Sequence, residues 1–191
     1  MSVVLDVTGV SPSEVATLPL LAGFAVITAI RELAGGSGPA VGLKWPNDVY
    51  VDGRKICGIL CSRHGDRIVV GIGLNVRQLD FPELPADRAT SLALAGVDVS
   101  VEAAMQAVLA SLAEVCGEWR RGGFAALYAR IEAADCLKGR EVSVMKTDED
   151  TGPVRGICRG ISPDGSLLVG DEKVYAGEVR LFDRNLKGEK R

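Results

Sequence analysis

The stretch from Val41 to Val76 limits the possible folds more than any other part of the chain. It reads "VGLKW", "VYV", "KICGILCSR" and "RIVVGIGLNV", four runs rich in β-branched residues. Between the later runs stand Asp52-Gly53 and His64-Gly65-Asp66, which tight turns select. A chain with this pattern folds as a meander of antiparallel strands. Asp52-Gly53 suits a two-residue turn with positive φ at both positions, and such a turn sets the register: Val51 faces Arg54, Tyr50 faces Lys55 and Val49 faces Ile56. Alternation then puts Asp48, Tyr50 and Lys55 on one face, with Asp48 and Lys55 as diagonal neighbours.

The fourth run has two unlike faces. Ile68, Val70, Ile72, Leu74 and Val76 form a continuous apolar face, while Gly71, Gly73 and Asn75 share the other. Two glycines at i and i+2 weaken a strand and mark a close approach, either by a ligand or by a tightly packed helix. Asn75 offers a donor and an acceptor suited to a base edge or a ureido group. Pro46 lacks an amide hydrogen and interrupts the ladder before Asn47 and Asp48, freeing that end of the strand to meet a ligand. The plainer reading of Asp48 and Lys55 is a cross-strand ion pair contributing roughly 0.2–1 kcal/mol. "GIGLNV" has no third glycine opening a helix, so it is not a dinucleotide fingerprint, and no phosphate loop of the Walker type occurs.

Around this meander, "SVVLDV" at 2–7 reads as a strand without a hairpin partner before it. Ser11 and Pro12 open a helix over 12–34, whose apolar run contains Pro19 and is read as too short for a membrane span. Residues 77–90 carry two prolines and read as a loop. Ser100 caps a helix over 101–121, and a second helix follows over 123–134. Five short strands then suggest a small β-barrel. The expected fold is α+β: a mixed or antiparallel sheet with helices on one side over 1–135, a barrel over 136–184, and a charged tail over 185–191.

Composition narrows the function classes. Net charge is −3 and charges of both signs are interspersed, so no phosphate-tracking nucleic-acid surface is expected. The five cysteines form no CxxC pair and the chain has one histidine, a poor supply for zinc and a composition suited to free thiols in the cytoplasm. "MSVVLDVTGV" lacks the charge and apolar core of a signal peptide, and no membrane association is expected. His64 reads as a turn residue and Trp45 as core.

With those residues in place, the chain resembles the biotin protein ligases. The resemblance runs through "KWPNDVYVDGRKICGIL", "VVGIGLNV" and "RATSL", and continues into "GICRGISPDGSLLV" and "GEVRLF". It implies a catalytic domain of the kind shared with class II aminoacyl-tRNA synthetases, followed by a barrel of Src-homology type. It implies that biotin and ATP form biotinyl-AMP, and that biotin then passes to a lysine on the biotin-acceptor domain of a carboxylase. By the same resemblance Lys55 touches the biotin carboxylate and the α-phosphate. Asp48 holds magnesium or sets Lys55, and Asn47 bonds a phosphate or shapes the corner after Pro46. Gly71 and Gly73 floor the biotin site, and Asn75 reaches the nucleotide. Lys44 is a second phosphate contact or a structural residue.

The family's arginine- and glycine-rich loop precedes the strand that "SVVLDV" resembles. This chain is expected to begin at that strand, leaving the loop, further biotin contacts and any DNA-binding extension outside it. The glutamate that commonly follows the "GILV" of the family is Ser62 here. An uncovered sheet edge would invite pairing with another chain, a homodimer included. A binding-only module and a lipoate-type acyl ligase are the alternatives.

Overall fold

Apolar residues at every second position drive the first half of the chain into one sheet. The computed structural model describes residues 1–35, 38–82, 88–146 and 152–182. Strands β1 (Ser2–Asp6), β2 (Val41–Lys44), β3 (Asp48–Val51), β4 (Arg54–His64) and β5 (Arg67–Leu74) pair in the order β1-β5-β4-β3-β2, antiparallel throughout. Asp52 and Gly53 take φ of +48° and +78°, so the predicted tight turn between β3 and β4 forms.

One expected register is corrected. Tyr50 faces Lys55 and Val51 faces Arg54, but Val49 faces Cys57, not Ile56. Ile56 is the extra residue of a β-bulge, and Ile56 and Cys57 are both buried. Pro46 is also placed differently: it lies in a three-residue corner joining β2 to β3, where Lys44 pairs with Asp48, and does not leave a strand end free.

The helices cover one face of this sheet. Ser11 caps α1 (Pro12–Val15), its hydroxyl accepting from the Glu14 amide. The expected single helix breaks after it, and α2 (Leu18–Ala34) begins afresh with Pro19 in its first turn, where the missing amide N–H leaves no hydrogen bond unmade. By length and composition Pro12–Ala34 could cross a membrane, which corrects the sequence reading, yet most of it is buried in the core against β2, β3, β4 and β5. Helix α3 (Val101–Gly122), capped by Ser100, packs on α2. Trp119 near its end donates its indole N–H to Glu14 Oε2 at 2.7 Å, and the Phe124 amide donates to the same oxygen at 2.8 Å. The region 123–134 is a 3-10 turn (Phe124–Ala126) followed by the short α4 (Tyr128–Ala133).

The second half of the chain builds another antiparallel sheet. Strands β6 (Glu141–Met145), β7 (Val154–Ile161), β8 (Leu167–Val169), β9 (Glu172–Val174) and β10 (Glu178–Leu181) lie in the order β10-β6-β7-β8-β9. Hydrogen bonds join the two halves. Residues 134–136 add a short bridge to β2, with the Leu43 amide donating to Ala134 O at 2.7 Å and the Cys136 amide to Leu43 O at 2.9 Å. The Tyr128 hydroxyl donates to Ile161 O at 3.0 Å, and the Trp45 indole donates to Gly165 O at 3.0 Å. The charged tail expected over 185–191 lies outside the described residues.

Candidate functional site

The face of the first sheet opposite the helices carries the candidate residues, and the strand registers place them in rows. Lys44, Asp48, Gly58 and Gly73 lie side by side across β2, β3, β4 and β5. The next row is Leu60, Gly71 and Ser2, and beyond it Ser62, Val69 and Val4. Lys55 enters the first row from the bulge, with its ammonium 2.6 Å from Asp48 Oδ1. The bulge therefore has a chemical effect: the added residue Ile56 brings Gly58 onto the same face as Lys55. A Cβ at Gly58 would lie 3.3 Å from Lys55 Nζ and 3.6 Å from Asp48 Oδ1.

Among the described residues no helix covers this face at the glycines. A Cβ at Gly71 would meet Leu60 O at 3.5 Å, and one at Gly73 would meet only Gly58 O at 3.7 Å. Among the described residues no helix packs tightly on the two glycines, which lie at the floor of a slot. Leu60 is 74% exposed and Val4 58% exposed, so the slot runs from a cationic end at Lys55 to an apolar end.

The backbone of Lys55 is held on both sides. Tyr50 pairs with it across the hairpin, and residues 88–90 run alongside, with the Lys55 amide donating to Arg88 O and the Thr90 amide to Lys55 O. That segment, read from sequence as the end of a loop, is a structural wall of the site. Asn75 ties it down, donating from Nδ2 to Thr90 O at 3.0 Å, while its own amide donates to Ile56 O. Thr90 Oγ1 is buried without a partner in this wall.

Asn47 turns out to be mainly a brace. Its side-chain amide donates to Ile59 O at 2.7 Å, and the Ile59 amide returns a bond to Asn47 O at 2.8 Å. The corner before Asp48 is thereby locked to β4. Lys44 is half-buried with its ammonium 5.2 Å from the centre of the Tyr50 ring. Burial pushes its pKa down, Asp48 opposes that, and the like charge of Lys55 adds to it. His64 ends β4, its ring near the Ser62 hydroxyl on the exposed surface, away from Lys55.

The cysteines carry thiols whose ionisation burial opposes. All five are free, and burial pushes the Cys57 thiol up to about 12 and those of Cys61, Cys136 and Cys158 to about 11. Beside the slot, between the β2–β3 strands and residues 133–140, lies a cavity of about 290 Å³ lined in part by Lys44, Tyr50, Asp135 and Arg140.

Sequence reasoning brought together Asp48, Lys55 and the two glycines; it singled out neither Gly58 nor Leu60, and met residues 88–90 only within the motif "RATSL". Gly58 was hidden because a bulge leaves no trace in an alternating pattern.

Comparison with known proteins bears on this geometry. Residues 1–78 match the model of the Biotin/lipoate A/B protein ligase family. The biotin protein ligase from Aquifex aeolicus has the same fold, with a TM-score of 0.82 and 31% identity, over 95% of this chain and 80% of that one. The chain belongs to the biotin protein ligase family. The same Aquifex ligase in complex with biotin and ATP superposes with a TM-score of 0.79. A biotin--[acetyl-CoA-carboxylase] ligase from Mycobacterium tuberculosis is 36% identical over 85% of this chain and 61% of its own length. The bifunctional ligase/repressor BirA of Bacillus subtilis is 31% identical over 86% of this chain and 52% of its own length. The chain thus spans about half the length of that ligase/repressor.

Proposed function

We propose that this ligase-family chain activates biotin with ATP, forming biotinyl-AMP with loss of pyrophosphate, and delivers biotin to a lysine on the biotin-acceptor domain of a carboxylase. The observation that carries the reading is the ammonium of Lys55, paired with Asp48 at 2.6 Å, at the head of a slot floored by Gly58, Gly71 and Gly73. Bare backbone lets a flat ring system lie close to the sheet, and Leu60 offers it an apolar neighbour. The biotin carboxylate oxygen attacks the α-phosphorus and the bond to pyrophosphate breaks. Lys55 neutralises the charge that gathers on the α-phosphate oxygens as this happens. In the second step the acceptor amine attacks the acyl carbonyl and AMP leaves.

Asp48 is assigned the orientation of Lys55 and, through its free oxygen, a contact to magnesium. Among the described residues no three His, Cys, Asp or Glu side chains gather into a metal cage. Magnesium commonly binds through one or two carboxylates plus substrate phosphates, so a lone Asp48 fits an ion that arrives with the nucleotide. Asn47 and Asn75 brace the site, and Asn75 keeps its oxygen for the nucleotide. Residues 1–135 form the catalytic unit in this reading, and 136–184 form a barrel of Src-homology type. The five free thiols suit the cytoplasm.

The test is biotin-dependent exchange of labelled pyrophosphate into ATP on the purified protein, with biotin binding followed by calorimetry. Exchange with biotin and none with lipoate is the expected result. Exchange driven by lipoate alone would overturn the substrate, and biotin binding without exchange would reduce the protein to a binding module.

A further inference from the structure

The Trp45 side chain belongs to the core by burial, at 2% exposed, yet its one polar atom reaches across the molecule. Nε1 donates to Gly165 O at 3.0 Å, a partner 120 positions away. The accepting turn is built to stay in place. The Gly165 amide closes it on Ser162 O at 2.9 Å, and Asp164 accepts from the Ser166 amide and hydroxyl and from Lys173. Gly165 also lies against α2, where a Cβ would come within 3.1 Å of Thr17 Cγ2. The receiving carbonyl is therefore fixed both by its own sheet and by the helix layer of the other.

On the other side, Trp45 opens the three-residue corner that ends at Asp48. Pro46 follows it, Asn47 is bonded twice to Ile59, and Asp48 holds Lys55. We propose that Trp45 is a positioning residue through which the turn at 162–165 of the second sheet holds the Asn47–Asp48 corner, and so Lys55, at the slot. The proposal assigns the second sheet a direct part in shaping the candidate site. It deepens the ligase reading and rests on it for its relevance to catalysis, while its geometry can be tested without either substrate.

Acetylation of Lys55 by limiting acetic anhydride, read by mass spectrometry, reports how tightly its ammonium is held by Asp48. Free α-acetyl-lysine added to the reaction serves as the standard, and Asp48→Asn sets the rate for an unpaired Lys55. Trp45→Phe keeps the ring and removes the donor; Asp164→Ala loosens the turn from the far side. Both are expected to move the Lys55 rate at least halfway to that of Asp48→Asn, with circular dichroism unchanged. Ser100→Ala removes the N-cap of α3, a hydroxyl that accepts from the Ala103 amide, and has no link to the corner. It should lower thermal stability and leave Lys55 at the wild-type rate.

Wild-type rates in Trp45→Phe and Asp164→Ala would overturn the proposal, as would an equal rise in Ser100→Ala, which would mean general loosening. If Trp45→Phe does not fold, Asp164→Ala decides. Loss of biotin or ATP binding in the wild-type protein would instead count against the ligase reading and leave the labelling result standing. In an active protein, Trp45→Phe should lower kcat for exchange several-fold while the KM for biotin stays within about twofold, the pattern of a mispositioned catalytic group.

Discussion

At the scale of single residues, the site is a lysine whose setting is decided by its neighbours. With the Lys55 side chain 44% exposed, its pair with Asp48 contributes modestly to stability, roughly 0–1 kcal/mol, so the pair is better explained by what it orients than by what it stabilises. Replacing Lys55 by Ala is expected to leave the unfolding midpoint nearly unchanged and to cut biotin-dependent exchange by about 10²–10³-fold, the size seen when a preorganised charge-stabilising donor is removed. Pyrophosphate exchange measured beside a thermal melt checks both halves of that statement. Asn75→Ala differs, because its Nδ2 also holds Thr90 O. It should raise the ATP concentration needed for half-maximal exchange and lower the midpoint together. An unchanged ATP requirement would leave Asn75 with the bracing role alone. The pairing of Asp48 with Lys55 was legible from sequence because Asp52-Gly53 dictates a turn and the turn dictates a register. The donor of Trp45 was not, since an indole marked only by its apolar surroundings gives no hint of a carbonyl 120 residues away.

Elements set the shape of the slot. The alternation that separates Ile68, Val70 and Ile72 from Gly71 and Gly73 was plain in the sequence, because strand periodicity is strict. The bulge at Ile56 and the 88–90 segment beside Lys55 were not legible. A bulge breaks the period at one position, and a contact between distant segments leaves no local pattern. The open floor gives a sharp test. Gly73 takes ordinary strand backbone and has free space where a Cβ would go. Gly73→Val should therefore fold, with a midpoint unchanged or raised by about 2–4 °C from the better strand propensity. It should also weaken biotin binding about 10-fold or more by filling the slot. Calorimetry with biotin decides between this and a purely structural glycine, for which folding would suffer and binding would not.

For the whole molecule, the joint between the two sheets is the feature that responds to pH. Burial raises the pKa of Asp135 from 3.8 to about 6, against a hydrogen bond from the Leu137 amide that lowers it, with Glu132 raising it and Lys138 lowering it. Its Oδ1 accepts from Leu137, and its Oδ2 is buried with no partner. A carboxyl with a raised folded pKa contributes stability below its unfolded value and loses it as pH rises through about 6. The deprotonated joint is thus destabilised by on the order of 2–3 kcal/mol at neutral pH. Asp135→Asn keeps the acceptor and cannot ionise, so it should be more stable than wild type at pH 8 and lose the fall in midpoint between about pH 4 and 6. Melting curves across that range check it, and parallel profiles for the two proteins would refute it. The α+β class and the order of the elements were readable from the sequence, since both halves carry clear strand patterns. How the halves touch was not, because Leu43, Trp45 and Tyr128 look like ordinary core residues until their partners are known.

The chain has two tryptophans, and each spends its indole N–H in a different place: Trp45 on a carbonyl of the far sheet, Trp119 on the Glu14 carboxylate among the helices. The protein therefore carries two optical gauges of its own. With Trp119 changed to Phe, the remaining indole emission would come from the seam between the sheets alone. A shift of that emission to longer wavelength would time the parting of the two halves in a stopped-flow trace, with no dye attached.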